Sequence, residues 1–424
     1  MADTEIQDKM QRADPVPTSQ SERIIALDVL RGFALLGILV MNIQSFSMVG
    51  AAYLNPTAFG NLEGANLWVW LLSHLLADQK FMTIFSMLFG AGVALMTSRA
   101  ESRDRPAAKL HYRRMGWLIV FGLAHGYLLW YGDVLFLYGV CGLLVYSFRK
   151  LPPRRLILIG LLSLAISSVF YLSVGLSMTH WPQDTVEEFR SSSWRPNPEM
   201  VAKETAAYRG GWLDQMTVRF PGVFFFQTFV LLIWGLWRAG GLMLIGMALF
   251  KLGVFSAERS ASFYRRMLVA GVFVGLPVVA HGVYRNFEAN WDVAYSFFLG
   301  SQFNYWGSVA VSLGWVGLVM LVVRSSALTA LTRRLAAVGQ TALSNYVLHT
   351  IVCTTLFYGH GFGLFGQIER VGQIAIVAAV WVIQLLLTPL WLKRFRFGPL
   401  EWLWRSLAYK AKQPLRRAPL ALTG

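Results

Sequence analysis

Cysteine, charge and recognisable nucleotide or metal motifs are what this chain has least of. Only two of its 424 residues are cysteine. Cys141 and Cys353 both lie in apolar runs and read as buried packing residues, which argues against a disulfide framework and leaves no metal-ligand spacing. Charged residues make up 14% of the chain, against about 25% in an ordinary soluble domain. With 55% hydrophobic residues, that poverty of charge excludes a water-soluble globular protein and indicates a membrane composition. No Walker loop, Rossmann glycine fingerprint, zinc spacing or nucleophile elbow is present. Internal repeats are lacking too, so nothing here argues for an inverted-repeat transporter.

What is there is a series of apolar runs long enough to cross a hydrocarbon core of roughly 30 Å. They fall at 30–49, 80–98, 115–132, 133–148, 156–177, 224–250, 267–284, 305–323, 341–358 and 372–392. These predict an all-α polytopic membrane protein with about ten transmembrane helices. The net charge of +16 would suggest nucleic acid in a soluble protein, but its distribution points elsewhere. No Lys or Arg occurs from residue 50 to Leu76, whereas 99–114 holds Arg99, Arg103, Arg105, Lys109, Arg113 and Arg114. Continuing the alternation, the N-terminus, loops 99–114, 149–155, 251–266 and 324–334, and the tail from Lys393 carry 28 of the 38 basic residues. This positive-inside bias puts both termini in the cytoplasm and the chain in a bacterial inner membrane, with no nucleic-acid partner.

The extramembrane parts are few. Residues 1–22 are polar and poor in aromatics, and are expected to be disordered. The first apolar run is no cleaved signal peptide, because its flank is long and mixed in charge and its core carries Arg31. A transmembrane domain covers 23–395, and its loop 178–222 is expected outside, forming one or two short amphipathic helices. The segment 396–424 reads as an interfacial helix opened by Pro399, with Leu400, Trp404 and Leu407 on one face and Trp402 and Trp404 as anchors, followed by a basic tail.

Polar residues inside the apolar runs are the candidates for chemistry, since ionisable groups at bilayer depth are costly unless paired or wet. Asp28, Arg31 and Asn42 share one arc of the first helix, and Asp28 and Arg31 are close enough to pair. The same spacing suits a structural ion pair that secures the first helix in the bundle. In "FGLAHGYLLWYGDVLFLYG", His125 and Asp133 offer a His–carboxylate pair able to orient a general base and hold its tautomer. A helix N-cap would equally explain Asp133, and core packing would explain His125. In "SHLLADQKF", His74 and Asp78 face the same way at i, i+4 ahead of Lys80, as a surface ion cluster also would. Arg238, Asn345 and His349 complete the set. Arg113 and Arg114 are topology determinants that also suit the phosphates of a cytoplasmic ligand.

With these residues the chain resembles the YeiB-like family of bacterial membrane proteins, whose C-terminal half is catalogued as domain of unknown function 418. The resemblance runs almost end to end, through "LDVLRGFALLGILVMNI", "AAYLNP", "KFMTIFSMLFGAG", "GLAHGYLLWYGDVLFLYGVCGL", "LSNYVLHTIVCTTLFY" and "FRFGPLEWLWRSL". More distantly, the "LDxxRG" opening resembles that of the transmembrane acyltransferases, which include the heparan-glucosaminide acetyltransferases and the type-3 acyltransferases. "LSNYVLH" is similar to their late helix with Ser, Tyr and His. That likeness implies acyl-CoA, acetyl-CoA above all, used from the cytoplasmic side, with the acyl group passed to a hydroxyl or amine across the membrane. The heparan-type enzymes carry a catalytic His in the loop after the first span. Here residues 50–66 contain no His, and the nearest candidates are His74 and His125.

The leading expectation is therefore an acyltransferase. His125 is the base, Asp133 orients it, Asp28 and Arg31 form the donor mouth, and Arg113 and Arg114 meet the donor's phosphates. Asn42, His74, Asp78, Arg238, Asn345 and His349 line the path to an envelope carbohydrate or lipid acceptor. No metal is called for. A transporter or flippase using the same polar stripe is the alternative, and a scaffold without chemistry the third. The oligomeric state is open, a homo-oligomer included.

Overall fold

The computed structural model describes residues 24–102 and 107–417. The disorder expected of residues 1–22, and Arg103 and Arg105, lie outside the described residues. Among the described residues every regular element is helical, apart from one antiparallel bridge between Phe395 and Arg416.

Among the described residues seven helices are long and apolar enough to cross a membrane, fewer than the ten expected: α1 (Ile25–Ser47), α3 (Lys80–Glu101), α6 (Pro153–Ser177), α9 (Met216–Lys251), α10 (Ala261–Glu288), α11 (Ala294–Ser325) and α14 (Arg370–Arg394). Helix α4 (Ala107–Leu128) has the length but, with Lys109, Arg113 and Arg114 in its first half, not the apolar character. Two shorter apolar helices, α5 (Leu135–Val145) and α13 (Ala342–Phe357), stand where two more spans were expected. Around them lie α2 (Gly64–Leu76), α7 (Gln183–Phe189), α8 (Pro198–Arg209), α12 (Thr329–Gln340) and α15 (Pro399–Tyr409). The chain is thus an all-α polytopic membrane protein. Helices α9, α10 and α11 run beyond the apolar stretches at 224–250, 267–284 and 305–323, α11 through the π-helical segment Ala294–Gly300. Hydropathy marks only the part in hydrocarbon, whereas the backbone keeps its internal hydrogen bonds out into the interface.

Local chemistry sets many boundaries. Gln79 takes a left-handed φ of 61° and divides α2 from α3. Pro153, Pro198 and Pro399 open their helices at a position where the missing N–H costs nothing. Asn197 caps α8 by accepting from the Met200 amide. Helix α13 has no such cap of its own. Instead Glu401, reaching over from α15, accepts from the Leu343 and Ser344 amides at 2.6 and 3.1 Å and from the Ser344 hydroxyl at 2.5 Å. The tail helix is therefore keyed to the bundle as well as lying along it.

Burial orders the bundle. Of its most apolar window, α1 has 72% buried, against 22% for α6 and for α14. So α1 is central, and the latter two offer Leu158, Leu162, Val169, Val382 and Leu387 outward as a lipid-facing surface would require. Small residues let the central backbones meet. A Cβ on Gly339 of α12 would overlap the Asp28 carbonyl of α1, and one on Gly90 of α3 would overlap the Met243 carbonyl of α9.

Candidate functional site

The first element of the site is a cavity of about 340 Å³ between α1, α3, α4, α5, α13 and α15. Along α1 its lining runs from Ile24 to Ile38, a depth of about 21 Å at 1.5 Å per residue. Its outer end on the basic side is ringed by Asp28, Arg31, Arg99, Arg114, Arg405 and Glu401. Arg31 donates to Asp28 Oδ1 at 2.8 Å and lies 3.5 Å from the Gly339 carbonyl. Arg114 stacks over Trp404, 4.5 Å from the ring centre, while the Trp404 indole donates to the Arg114 carbonyl. Beyond the arginines the walls turn apolar through Leu35, Leu88, Met115 and Leu118. The deep end is closed by Val134, Leu135, Tyr138 and Tyr346. A basic mouth on an apolar shaft suits an anionic head with a less polar tail.

The second element lies immediately behind Tyr346, whose ring centre is 5.1 Å from that of His125. His125 is 3% exposed and the Asp133 side chain 1%. His125 Nδ1 is 2.9 Å from Asp133 Oδ1, and Nε2 is 2.8 Å from the Thr350 hydroxyl. The carboxylate only accepts, so Nδ1 carries the proton; Nε2 of the neutral ring then accepts from Thr350. Asp133 does double duty, because it also accepts from the Leu135 and Phe136 amides at 3.1 and 2.8 Å and so caps α5. Both readings of Asp133, cap and imidazole partner, hold in one side chain. Trp130 packs edge-on to His125 with centres 6.4 Å apart, and its buried indole N–H has no partner among the described residues. Buried donors rarely go unpaired, and those that do merit a functional question.

A third cluster holds the turn between α2 and α3 against α11. Asp78 Oδ2 meets His74 Nδ1 at 3.1 Å and the Asn304 amide at 2.8 Å. Lys80 donates to the His74 carbonyl at 2.7 Å and to Asn304 Oδ1 at 2.5 Å. Deeper in, Arg238 is fully buried and donates to the Tyr305 carbonyl, Ser308 and Thr83. Nothing in this cluster lines the basic-mouthed cavity.

The other residues singled out from the sequence divide in the same way. Asp28, Arg31 and Arg114 line the cavity, while Arg113 does not, being turned away from its neighbour on the helix. Asn42 lies about one turn beyond Ile38, past the cavity's last contact with α1. Asn345 and His349 face α14: the Gln384 amide oxygen is 2.8 Å from His349 Nε2, and the Thr388 hydroxyl is 3.4 Å from Asn345 Oδ1. Sequence reasoning missed Thr350, Arg405 and Glu401, whereas Arg99 opens the basic loop and Tyr346 lies in the "LSNYVLH" stretch already singled out. Thr350 directly follows His349, so the late "LSNYVLHT" stretch did carry a signal one residue away.

Fold and site together define a multi-pass membrane protein whose polar interior opens on its basic side. The family described as "Protein of unknown function (DUF418)" matches residues 249–411. Over 397 residues the chain is 32% identical to "Uncharacterized protein YeiB" of Escherichia coli (strain K12), covering 93% of this chain and 98% of that one. "Uncharacterized protein YxaH" of Bacillus subtilis (strain 168) is 27% identical, covering 95% of this chain and 98% of its own. The chain belongs to the YeiB-like DUF418 family.

Proposed function

We propose that the protein is a bacterial inner-membrane acyltransferase that takes an acyl group from cytoplasmic acyl-CoA, acetyl-CoA in the first instance, and passes it to a hydroxyl or amine of an envelope acceptor. The observation that carries this reading is the alignment of a four-arginine cavity mouth with a deep end one ring away from the buried His125–Asp133 pair. Arg31, Arg99, Arg114 and Arg405 meet the donor's phosphates. The apolar walls below them take the pantetheine arm, and the thioester comes to rest toward Tyr346. His125 acts as base, and Asp133 holds its tautomer and stabilises the imidazolium that forms. Trp130 offers an uncommitted N–H for the oxyanion beside that ring.

The test begins with the purified protein in detergent. Acetyl-CoA should raise its melting temperature in a saturable way, and Arg31→Gln and Arg114→Gln should each weaken that response. His125→Ala should lower acetyl-CoA turnover roughly 10²–10⁴-fold while leaving donor affinity nearly unchanged. A transporter built on the same cavity predicts no response to acetyl-CoA and a response to its own solute. An unshifted melting curve at millimolar acetyl-CoA, or a well-folded His125→Ala protein with more than a tenth of wild-type turnover, refutes the acyltransferase reading.

A further inference from the structure

We infer that Thr350 is a nucleophile that carries the acyl group covalently between donor and acceptor, so that transfer proceeds in two steps; this rests on the acyl-transfer reading above. The argument starts from the imidazole. Both nitrogens of His125 are already engaged, Nδ1 by Asp133 at 2.9 Å and Nε2 by Thr350 at 2.8 Å. The proton His125 stands ready to remove is therefore that of Thr350. Hydroxyl, imidazole and carboxylate in this order, each within hydrogen-bond reach of the next, form the arrangement that activates an alcohol for attack on a carbonyl. Thr350 is fully buried in the middle of α13. It lies four residues, or about 6 Å, beyond Tyr346 along the helix, on the far side of the cavity's closed end. The buried Tyr346 ring, its hydroxyl 3.4 Å from the Gly132 carbonyl, stands between the cavity and Thr350, and it must swing aside for a thioester to pass.

In the first step Thr350 Oγ attacks the thioester carbonyl carbon and His125 Nε2 takes the hydroxyl proton. The C–S bond breaks, the imidazolium returns the proton to sulfur, and free CoA thiol leaves by the basic mouth. In the second step the acceptor's hydroxyl or amine gives its proton to His125 and attacks the Thr350 ester. Thr350 leaves as the alkoxide and recovers that proton. No oxidant, metal or further reactant enters. The arrangement solves a geometric problem, because the bulky, charged nucleotide never crosses the bilayer. Only the acyl group does, and it is handed over at the buried His125–Thr350 pair.

The experiment is to mix the purified full chain with acetyl-CoA labelled in the acetyl group, without acceptor, and quench in acid. A burst of CoA thiol close to one per protein and an acetyl group on the Thr350 peptide by mass spectrometry are expected. Thr350→Val, which keeps the shape and removes the hydroxyl, should lose the label and at least 10²-fold in turnover, while Thr350→Ser should restore both. Thr350→Val turning over at more than a tenth of the wild-type rate, or label found on His125, overturns the covalent step while leaving acyl transfer intact. A wild-type protein that neither binds acetyl-CoA nor releases thiol would instead remove the underlying reading, and the Thr350 step with it.

Discussion

Replacing Asp133 by Ala removes one side chain from three partners, and the cost follows from what each partner loses. The amides of Leu135 and Phe136 lose their cap, which is worth about 1 kcal/mol. The His125 Nδ1–H, in a ring 3% exposed, loses its acceptor, and an unsatisfied buried donor costs about 1–3 kcal/mol. Together these come to about 3 kcal/mol, or roughly 3 °C in melting temperature for a chain of this size. Asp133→Asn keeps one acceptor oxygen and the space, and should cost about half as much. The assay is thermal unfolding in detergent, followed by intrinsic tryptophan fluorescence and by aggregation. A melting temperature for Asp133→Ala within about 1 °C of wild type would mean that the cap and the imidazole bond contribute nothing, and the geometric reading of this site would be wrong.

Other outcomes can be checked alongside. Arg31→Ala removes a charge-assisted bond to Asp28 and should cost about 1.5–3 kcal/mol, whereas Asp28→Asn with Arg31→Gln should fold better than Arg31→Ala and still lose the acetyl-CoA-dependent melting shift. A double variant that keeps the full shift would make the pair purely structural. Reporter fusions at Ser102 and Lys412 should read cytoplasmic and one at Ser192 outside; a cytoplasmic signal at Ser192 would invalidate the span order. Glu401 gives a pH test. Burial raises its carboxyl above the ordinary glutamate value, so its contribution to stability is present below about pH 4.3 and is lost as pH rises through the elevated folded value. The melting temperature of wild type relative to Glu401→Gln should therefore fall as pH rises above about 4.3; a difference that is flat or grows with pH contradicts it.

Much of this molecule is legible in its residues alone. Runs of apolar residues long enough for hydrocarbon, and basic residues confined to alternate loops, determine an all-α bundle and predict its sidedness, because both depend on local composition meeting a lipid or aqueous phase. Asp28 with Arg31 and His74 with Asp78 can be paired from helical spacing. His125 and Asp133 can be brought together across a short turn, though spacing does not say that Asp133 both caps α5 and holds the imidazole.

The rest required the tertiary structure. Thr350 meets His125 across 225 residues of chain, and no periodicity reports a contact between helices so distant in sequence. Arg113 and Arg114 are equivalent as sequence, yet only Arg114 lines the cavity, because a rotation of about 100° per residue separates a wall from its back and packing decides which is which. Asn345 and His349 have the sequence pattern of companions to the site, and helix α14 takes them for its own hydrogen bonds instead. By itself the sequence determined that the chain is a bundle of apolar helices built for a membrane and which residues must be shielded there. The packing of one helix against another decided what shields them, and so which polar groups face each other, which face the cavity, and which merely hold the bundle together.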